Sequence, residues 1–184
     1  MKKEQILEDL RYFNSRNQKL IIWKSFDRLD ESLYGKTDFD LLLMEGNFQI
    51  LLPLLKERGW VKFEAEKWRS FEKIHDFFKI IQDEENNNFV IHFHIHEEVR
   101  TGERFTKSLI LNSKEFENKI VEVKGFYTVE NKFDHKLKII RAAFKLTFFD
   151  LVLSLIRLNK SSIYKFRSEI LKTSKISKNT ENDI

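Results

Sequence analysis

Hydrophobic and polar positions in the first quarter of the chain alternate between helical and strand periods. Residues 4–15 carry apolar side chains three and four positions apart, which predicts a short amphipathic helix. Leu20–Trp23 is a compact apolar run that favours a buried strand, and residues 25–33 return to helical spacing with Ser25 as a candidate N-cap. Phe39–Met44 is almost continuously apolar, as in a strand covered on both faces. The predicted order is helix, strand, helix, strand.

The middle of the chain adds one helix and then a run of strands. Residues 47–58 predict a helix closed by a glycine, in which Pro53 either introduces a kink or marks the first turn. Residues 60–68 alternate between apolar and charged side chains, which predicts a half-exposed strand. His75–Gln82 and Phe89–Val99 flank a polar loop, so we expect them to pair as antiparallel strands.

The C-terminal third changes character. From Asp134 to about Lys172 the apolar residues recur at helical steps, and the last dozen residues are polar and basic. We therefore predict an α+β domain over residues 1–128, a helical region over residues 129–172 and a disordered basic tail over residues 173–184.

The composition limits which side chains could form a metal site. The chain has 184 residues and no cysteine, so a metal site would have to use carboxylates, imidazoles or carbonyl groups. Its richest apolar stretch, residues 146–158, contains Asp150 and Arg157 and is shorter than the roughly 20 apolar residues of a membrane crossing. The first residues lead into an amphipathic pattern rather than a secretory signal, so we expect a cytoplasmic protein without a membrane span.

The net charge of +4 belongs to one end of the chain. Residues 157–184 carry seven basic and three acidic side chains, so the remainder is neutral. Tyr164 and Phe166 interleave with lysine and arginine there, a mixture found where stacking joins charge. A solvated amphipathic helix is the favoured interpretation of this segment, and nucleic-acid binding is the less favoured one.

The most specific feature of the sequence is Asp38-Phe39-Asp40 at the start of the apolar run. Two aspartates separated by one residue on a strand point to the same side, so their charges repel unless a cation neutralises them. Mg²⁺ suits such a pair because it takes carboxylate oxygens and substrate phosphates together. A pair of exposed acids at the start of a strand is the alternative.

The surroundings of the pair resemble the nucleotidyltransferase fold of the DNA polymerase beta superfamily. The signature there is a hydrophobic residue, Gly, and Gly or Ser, then roughly nine to thirteen residues, then two acids in a hydrophobic strand. Here Trp23-Lys24-Ser25 precedes Asp38-Phe39-Asp40-Leu41 by twelve residues. With the later phrases His92-Phe93-His94-Ile95-His96 and Gly102-Glu103-Arg104-Phe105, residues 18–110 look like a little-characterised bacterial branch of that superfamily.

The resemblance implies a mixed sheet flanked by helices and a transfer reaction. A nucleoside monophosphate would pass from an NTP to a small, sugar-related acceptor, with Asp38 and Asp40 holding Mg²⁺ or Mn²⁺. Lys24 stands where the signature has glycine and would supply charge beside the phosphates, next to Ser25. Lys107 is a further candidate phosphate contact.

A histidine-rich strand occupies the place of the third carboxylate that active members usually carry. His92, His94 and His96 share one face by alternation, and they could bind a transition metal with the aspartates or act as acid, base or phosphate donor. We favour His94 or His92 as the group facing Asp38, with His94 as a catalytic residue and both as metal ligands. Glu64 and Glu66 are the alternative source of a third acid. A merely hydrogen-bonded polar face is the structural alternative.

Two functions follow from these observations. The first is a metal-dependent nucleotidyltransferase, and the second is a catalytically degenerate module of the same fold that binds a nucleotide or a partner protein. The sequence leaves the nucleotide, the acceptor and the oligomeric state undetermined.

Overall fold

The computed structural model describes four stretches of the chain, residues 2–64, 71–83, 85–101 and 109–143. Several predicted features lie outside these residues: Lys107, Glu66, most of the predicted helical region and the basic tail. The predicted boundaries at residues 128 and 172 stay predictions.

The described residues form four α-helices and nine strands, with short 3-10 helices at Phe26–Arg28 and Ser113–Lys119. The helices are α1 Lys2–Ser15, α2 Leu29–Leu33, α3 Phe48–Glu57 and α4 Asn131–Ala143. The strands are β1 Lys19–Ile22, β2 Phe39–Glu45, β3 Val61–Phe63, β4 Ile74–Gln82, β5 Asn88–His96, β6 Val99–Thr101, β7 Leu109–Leu111, β8 Ile120–Val123 and β9 Phe126–Val129.

Local sequence accounts for the first elements. The helical period of the N-terminal residues produces α1, and the two apolar runs produce β1 and β2, as predicted. Helix α3 begins after Asn47, whose side chain accepts a hydrogen bond from the backbone N–H of Gln49. Pro53 lies in the interior of α3 rather than in its first turn. Ser25 precedes the first 3-10 helix in a left-handed conformation without a side-chain cap.

Seven of the strands form a mixed sheet in the order β3-β4-β5-β2-β1-β9-β8. Its neighbours pair antiparallel except for β2 with β5 and β1 with β9, which are parallel. Strands β6 and β7 form a separate two-stranded sheet. The prediction of an α+β fold with a mixed sheet flanked by helices is therefore confirmed at that level.

The two faces of the sheet differ in chemistry because side chains alternate along each strand. One face carries apolar residues such as Phe77, Phe93 and Leu41, which are fully buried in a core shared with α1 and α3. The other face carries the intervening residues, among them Asp40, His94 and Asp76. Burial of the first face stabilises the domain by the hydrophobic effect, and this leaves the second face available for polar side chains.

The observed strands differ from the predicted ones in three places. Strands β8 and β9 complete one edge of the sheet, although no strand was predicted between residues 109 and 129. Strand β3 covers only Val61–Phe63 of the predicted segment, and residues 65–70 lie outside the described residues. The predicted strand Phe89–Val99 is divided into β5 and β6 by a bend.

The chain forms two compact units. The first contains residues 1–99 and 111–130, and with them the seven-stranded sheet. The second contains residues 100–110 and 131–184, of which α4 is the described helix. Among the described helices, none combines the length and the apolar character needed to cross a bilayer.

Candidate functional site

A row of polar side chains crosses three neighbouring strands on the face opposite the core. Asp40 of β2 lies beside His94 of the parallel strand β5, and His94 lies beside Asp76 of the antiparallel strand β4. Since residues in register on one face of a sheet are neighbours, this pairing brings two carboxylates to either side of one imidazole.

Asp38 and Asp40 converge on that imidazole. The Nδ1 atom of His94 lies 3.2 Å from Oδ1 of Asp40 and 3.8 Å from Oδ2 of Asp38. Asp38 precedes β2, where the hydroxyl of Ser32 donates a hydrogen bond to its backbone carbonyl and Thr37 donates one to its carboxylate. The predicted acidic pair therefore lies at one end of a strand, with Asp38 35% exposed and Asp40 3% exposed.

Asp40 remains charged in spite of its burial. Burial alone would raise its pKa, but the hydrogen bond from His94 and the charge of Lys24 outweigh that effect and lower the pKa from 3.8 to about 2. Lys24 reaches the carboxylate because β1 runs antiparallel to β2, so the residues that follow Ile22 lie beside Asp40. Its Nζ atom lies 2.6 Å from Oδ1 of Asp40.

A group able to hold a metal ion is formed by Asp40, His94 and His96. One potential ligand atom from each residue lies within 4.8 Å of the other two, and Nε2 of His96 is 3.9 Å from Oδ1 of Asp40. His96 is only 1% exposed, and its ring packs edge-on against Trp23. The strand period indicates that His96 shares a face with His94, but only the pairing of β2 with β5 shows that it approaches Asp40.

His92 lies farther along the same face and belongs to a different set of contacts. Its Nε2 atom lies 2.8 Å from Oδ1 of Asp76, and its ring stacks on Phe78 at a centroid distance of 4.4 Å. Among the described residues, His92 is not part of the three-residue group that could hold a metal. Its predicted role as a metal ligand stays a prediction.

Asp76 is the residue of this site that the sequence analysis did not single out. Its Oδ1 atom lies 3.9 Å from Nε2 of His94, on the side of the ring away from Asp40. The one signal in the sequence was an acid inside an otherwise largely apolar strand, where a charge needs a partner. At 3.9 Å Asp76 acts on His94 through its charge, while its hydrogen bond is with Nε2 of His92.

Of the remaining predicted site residues, some are among the described residues and others are not. Ser25 follows Lys24 directly in a left-handed backbone conformation, with φ of 61°. Glu64, one alternative source of the third acid, is 77% exposed and pairs with Lys62 at 2.7 Å, and this contact lowers the pKa of Glu64. Lys107 and Glu66 lie outside the described residues.

The composition of the site suits a cation. Three carboxylates, those of Asp38, Asp40 and Asp76, lie around His94; Lys24 pairs with Asp40, and Arg28 is within electrostatic range of Asp38. One carboxylate with two imidazoles is a ligand set for a first-row transition metal rather than for Mg²⁺, which prefers oxygen. Asp40, His94 and His96 could therefore hold a metal ion.

The fold and site together define an α+β protein with a carboxylate–imidazole centre at one end of a sheet strand. No protein family, curated protein or solved structure matches this chain in sequence or in fold.

Proposed function

We propose that this chain is a metal-dependent nucleotidyltransferase that transfers a nucleoside monophosphate from an NTP to a small, sugar-related acceptor. The observation that carries the proposal is the convergence of Asp38 and Asp40 on one side of the ring of His94. The spacing of the acids after Trp23-Lys24-Ser25 supports it, because these residues resemble the signature of the DNA polymerase beta superfamily.

The metal that we propose is Mn²⁺ in preference to Mg²⁺. Both ions accept carboxylate oxygens, but Mn²⁺ accepts imidazole nitrogen more readily, and His94 and His96 provide two such nitrogens beside Asp40. When bound, the ion would neutralise phosphate charge and lower the pKa of a coordinated hydroxyl.

The side chains then have separate roles. Asp40, His94 and His96 would bind the metal, and Asp76, 3.9 Å from Nε2 of His94, would add negative charge beside that ring. The acceptor hydroxyl oxygen would bond to the α-phosphorus while the bond to the β-phosphate oxygen breaks, so pyrophosphate leaves. Asp38 is the more exposed carboxylate and would accept the hydroxyl proton.

A catalytically degenerate nucleotide-binding module is the second candidate, and the contact between Lys24 and Asp40 favours it. An ammonium 2.6 Å from the carboxylate already supplies a positive charge at the position of a metal. Such a protein would bind a nucleotide without needing a divalent ion and would release no pyrophosphate.

The test measures binding and turnover on the same protein samples. Calorimetric titration with each NTP, with Mn²⁺, with Mg²⁺ or with EDTA, is followed by a pyrophosphate-release assay with sugars and sugar phosphates as acceptors. We expect Mn²⁺-dependent NTP binding in the wild type and a loss of at least roughly 100-fold in affinity in the double variant Asp38→Asn/Asp40→Asn, because the carboxylate ligand Asp40 and the negative charge of Asp38 are both removed.

The matched control is Glu45→Gln, which removes a carboxylate from the other end of β2. Glu45 is 70% exposed and lies opposite Lys19, so we expect this variant to bind like the wild type. Undetectable NTP binding, or binding unchanged in the double variant, would contradict both candidates at this site. Metal-independent binding that is lost in the double variant, without pyrophosphate release, would select the second candidate.

A further inference from the structure

Lys24 and a metal ion would use the same atom of Asp40. The Nζ atom of Lys24 lies 2.6 Å from Oδ1 of Asp40, and this oxygen is also the one nearest to Nδ1 of His94 and Nε2 of His96. Both partners are largely buried, with the Lys24 side chain 19% and the Asp40 side chain 3% exposed. An ammonium and a divalent ion repel each other strongly at such short range in a buried site.

We propose that Lys24 is a built-in competitor for the metal: it neutralises Asp40 when no ion is bound and leaves the carboxylate when an ion binds. This inference rests on the proposed function only in assigning metal binding to Asp40. It identifies Lys24 as a residue that sets the threshold for metal binding, in addition to any contact with a nucleotide phosphate.

The consequence for metal choice follows from ligand chemistry. Displacing the ammonium costs every ion the same free energy, because the broken contact between Lys24 and Asp40 is the same. Mg²⁺ recovers little of that cost from imidazole, whereas Mn²⁺ gains the nitrogens of His94 and His96. Lys24 therefore raises the affinity threshold equally for every ion, and the two histidines decide which metal exceeds it.

The chain contains a matched control for this behaviour. Lys79 is also 19% exposed and lies 2.6 Å from a buried carboxylate, that of Asp9. The other partners of Asp9 are Arg58 and the indole N–H of Trp60, which donate hydrogen bonds and have no lone pair for a metal. A metal that displaces Lys24 should therefore leave Lys79 in place.

The first experiment uses the wild-type chain. Lysine acylation is quantified by mass spectrometry in EDTA, in Mn²⁺ and in Mg²⁺, at ion concentrations chosen from the rise in Tm. We expect the labelling rate of Lys24 to increase at least roughly fivefold in saturating Mn²⁺, in line with the usual size of coupling between two sites. The labelling of Lys79 should not change.

The second experiment removes the competitor. In Lys24→Met, calorimetry should show Mn²⁺ and Mg²⁺ binding tightened by the same factor, in the range of roughly 5- to 150-fold. Lys24→Arg keeps a positive charge and should remain within about threefold of the wild type. Asp40→Asn should abolish both gains, because the ion then lacks its carboxylate ligand.

The outcomes separate this inference from the proposed function. If no ion raises Tm, if Lys24 labelling is constant in saturating Mn²⁺, or if Lys24→Met binds ions no more tightly, the competitor role is wrong. Displacement of Lys24 without any nucleotide transfer would leave the role intact and refute the transferase. Mn²⁺-dependent transfer with an immobile Lys24 would refute only the competitor role. If Lys24→Met does not fold, the labelling of the wild type decides.

Discussion

Two aspartates are buried on opposite faces of the same sheet, and their partners differ in kind. Asp9, fully buried on the core face, receives hydrogen bonds from Arg58, Trp60 and Lys79 at 2.6–2.9 Å. These groups can only donate, so the carboxylate of Asp9 is already satisfied, and none of these three partners can share a metal with it.

Within the described part of the chain, the carboxylate of Asp40 contacts Lys24 and the imidazoles of His94 and His96. Imidazole nitrogens can donate a hydrogen bond or offer a lone pair, so the same contacts serve a protonated ring or a bound cation. The comparison indicates that burial of a charge does not by itself identify a functional site. A functional site is indicated instead by neighbours that can either donate a hydrogen bond to the carboxylate or bind a cation beside it.

Removing Asp9 should have the largest effect on stability. Asp9→Ala leaves Arg58 and Lys79 without their buried counter-charge, and we expect a loss of about 3–5 kcal/mol in the free energy of unfolding. Urea denaturation measures this loss, and Mn²⁺ titration of the folded protein should give an unchanged affinity. A clear change in Mn²⁺ affinity would contradict the division between a structural and a functional aspartate.

The histidines offer the next test, because the sequence and the structure favour different ligands. His96→Ala should weaken Mn²⁺ binding by at least roughly 100-fold, since a direct ligand is lost. His92→Gln preserves a hydrogen-bond donor for Asp76 and should remain within about threefold of the wild type. Calorimetric titration of both variants decides between them, and the reverse order would restore His92 as the ligand.

The smallest of the three effects concerns the pH dependence of stability. The pKa of Asp40 is about 2 in the folded chain and 3.8 in the unfolded reference, so the folded state favours the carboxylate. This contributes roughly 2 kcal/mol that is fully present above about pH 5 and is lost as the pH falls through 3.8 towards 2, about half of it by pH 3.

Urea denaturation between pH 6 and pH 3 in EDTA measures this contribution. Asp40→Asn should remove that part of the pH dependence, whereas Glu45→Gln should retain it, because Glu45 is exposed at the far end of β2. Equal pH dependence in the wild type and in Asp40→Asn would show that the charge of Asp40 is not stabilised by Lys24 and His94.

Short-range sequence patterns predicted most of the first sheet strands and helices. The helical period of α1, the apolar runs of β1 and β2 and the polar loop between β4 and β5 are local properties, so they could be predicted without knowing which elements meet. The segments of β8 and β9 are four residues each, too short for a periodic pattern to stand out. Their strand structure depends on pairing with each other and with β1.

The site shows the same division. The two-residue period of a strand placed Asp38 with Asp40 and the three histidines on a common face, because alternation is intrinsic to the extended backbone. Asp76 was missed, since its significance depends on the antiparallel pairing of β4 with β5.

The sequence by itself therefore determined the α+β character of the chain, the acidic pair and a face of histidines, all of which follow from local backbone periods and residue chemistry. Only the tertiary structure decided which histidines approach Asp40, that Asp76 lies behind His94 and that Lys24 neutralises the buried carboxylate. The physical reason is register: a shift between β2 and β5 would leave every local pattern unchanged while giving Asp40 different neighbours.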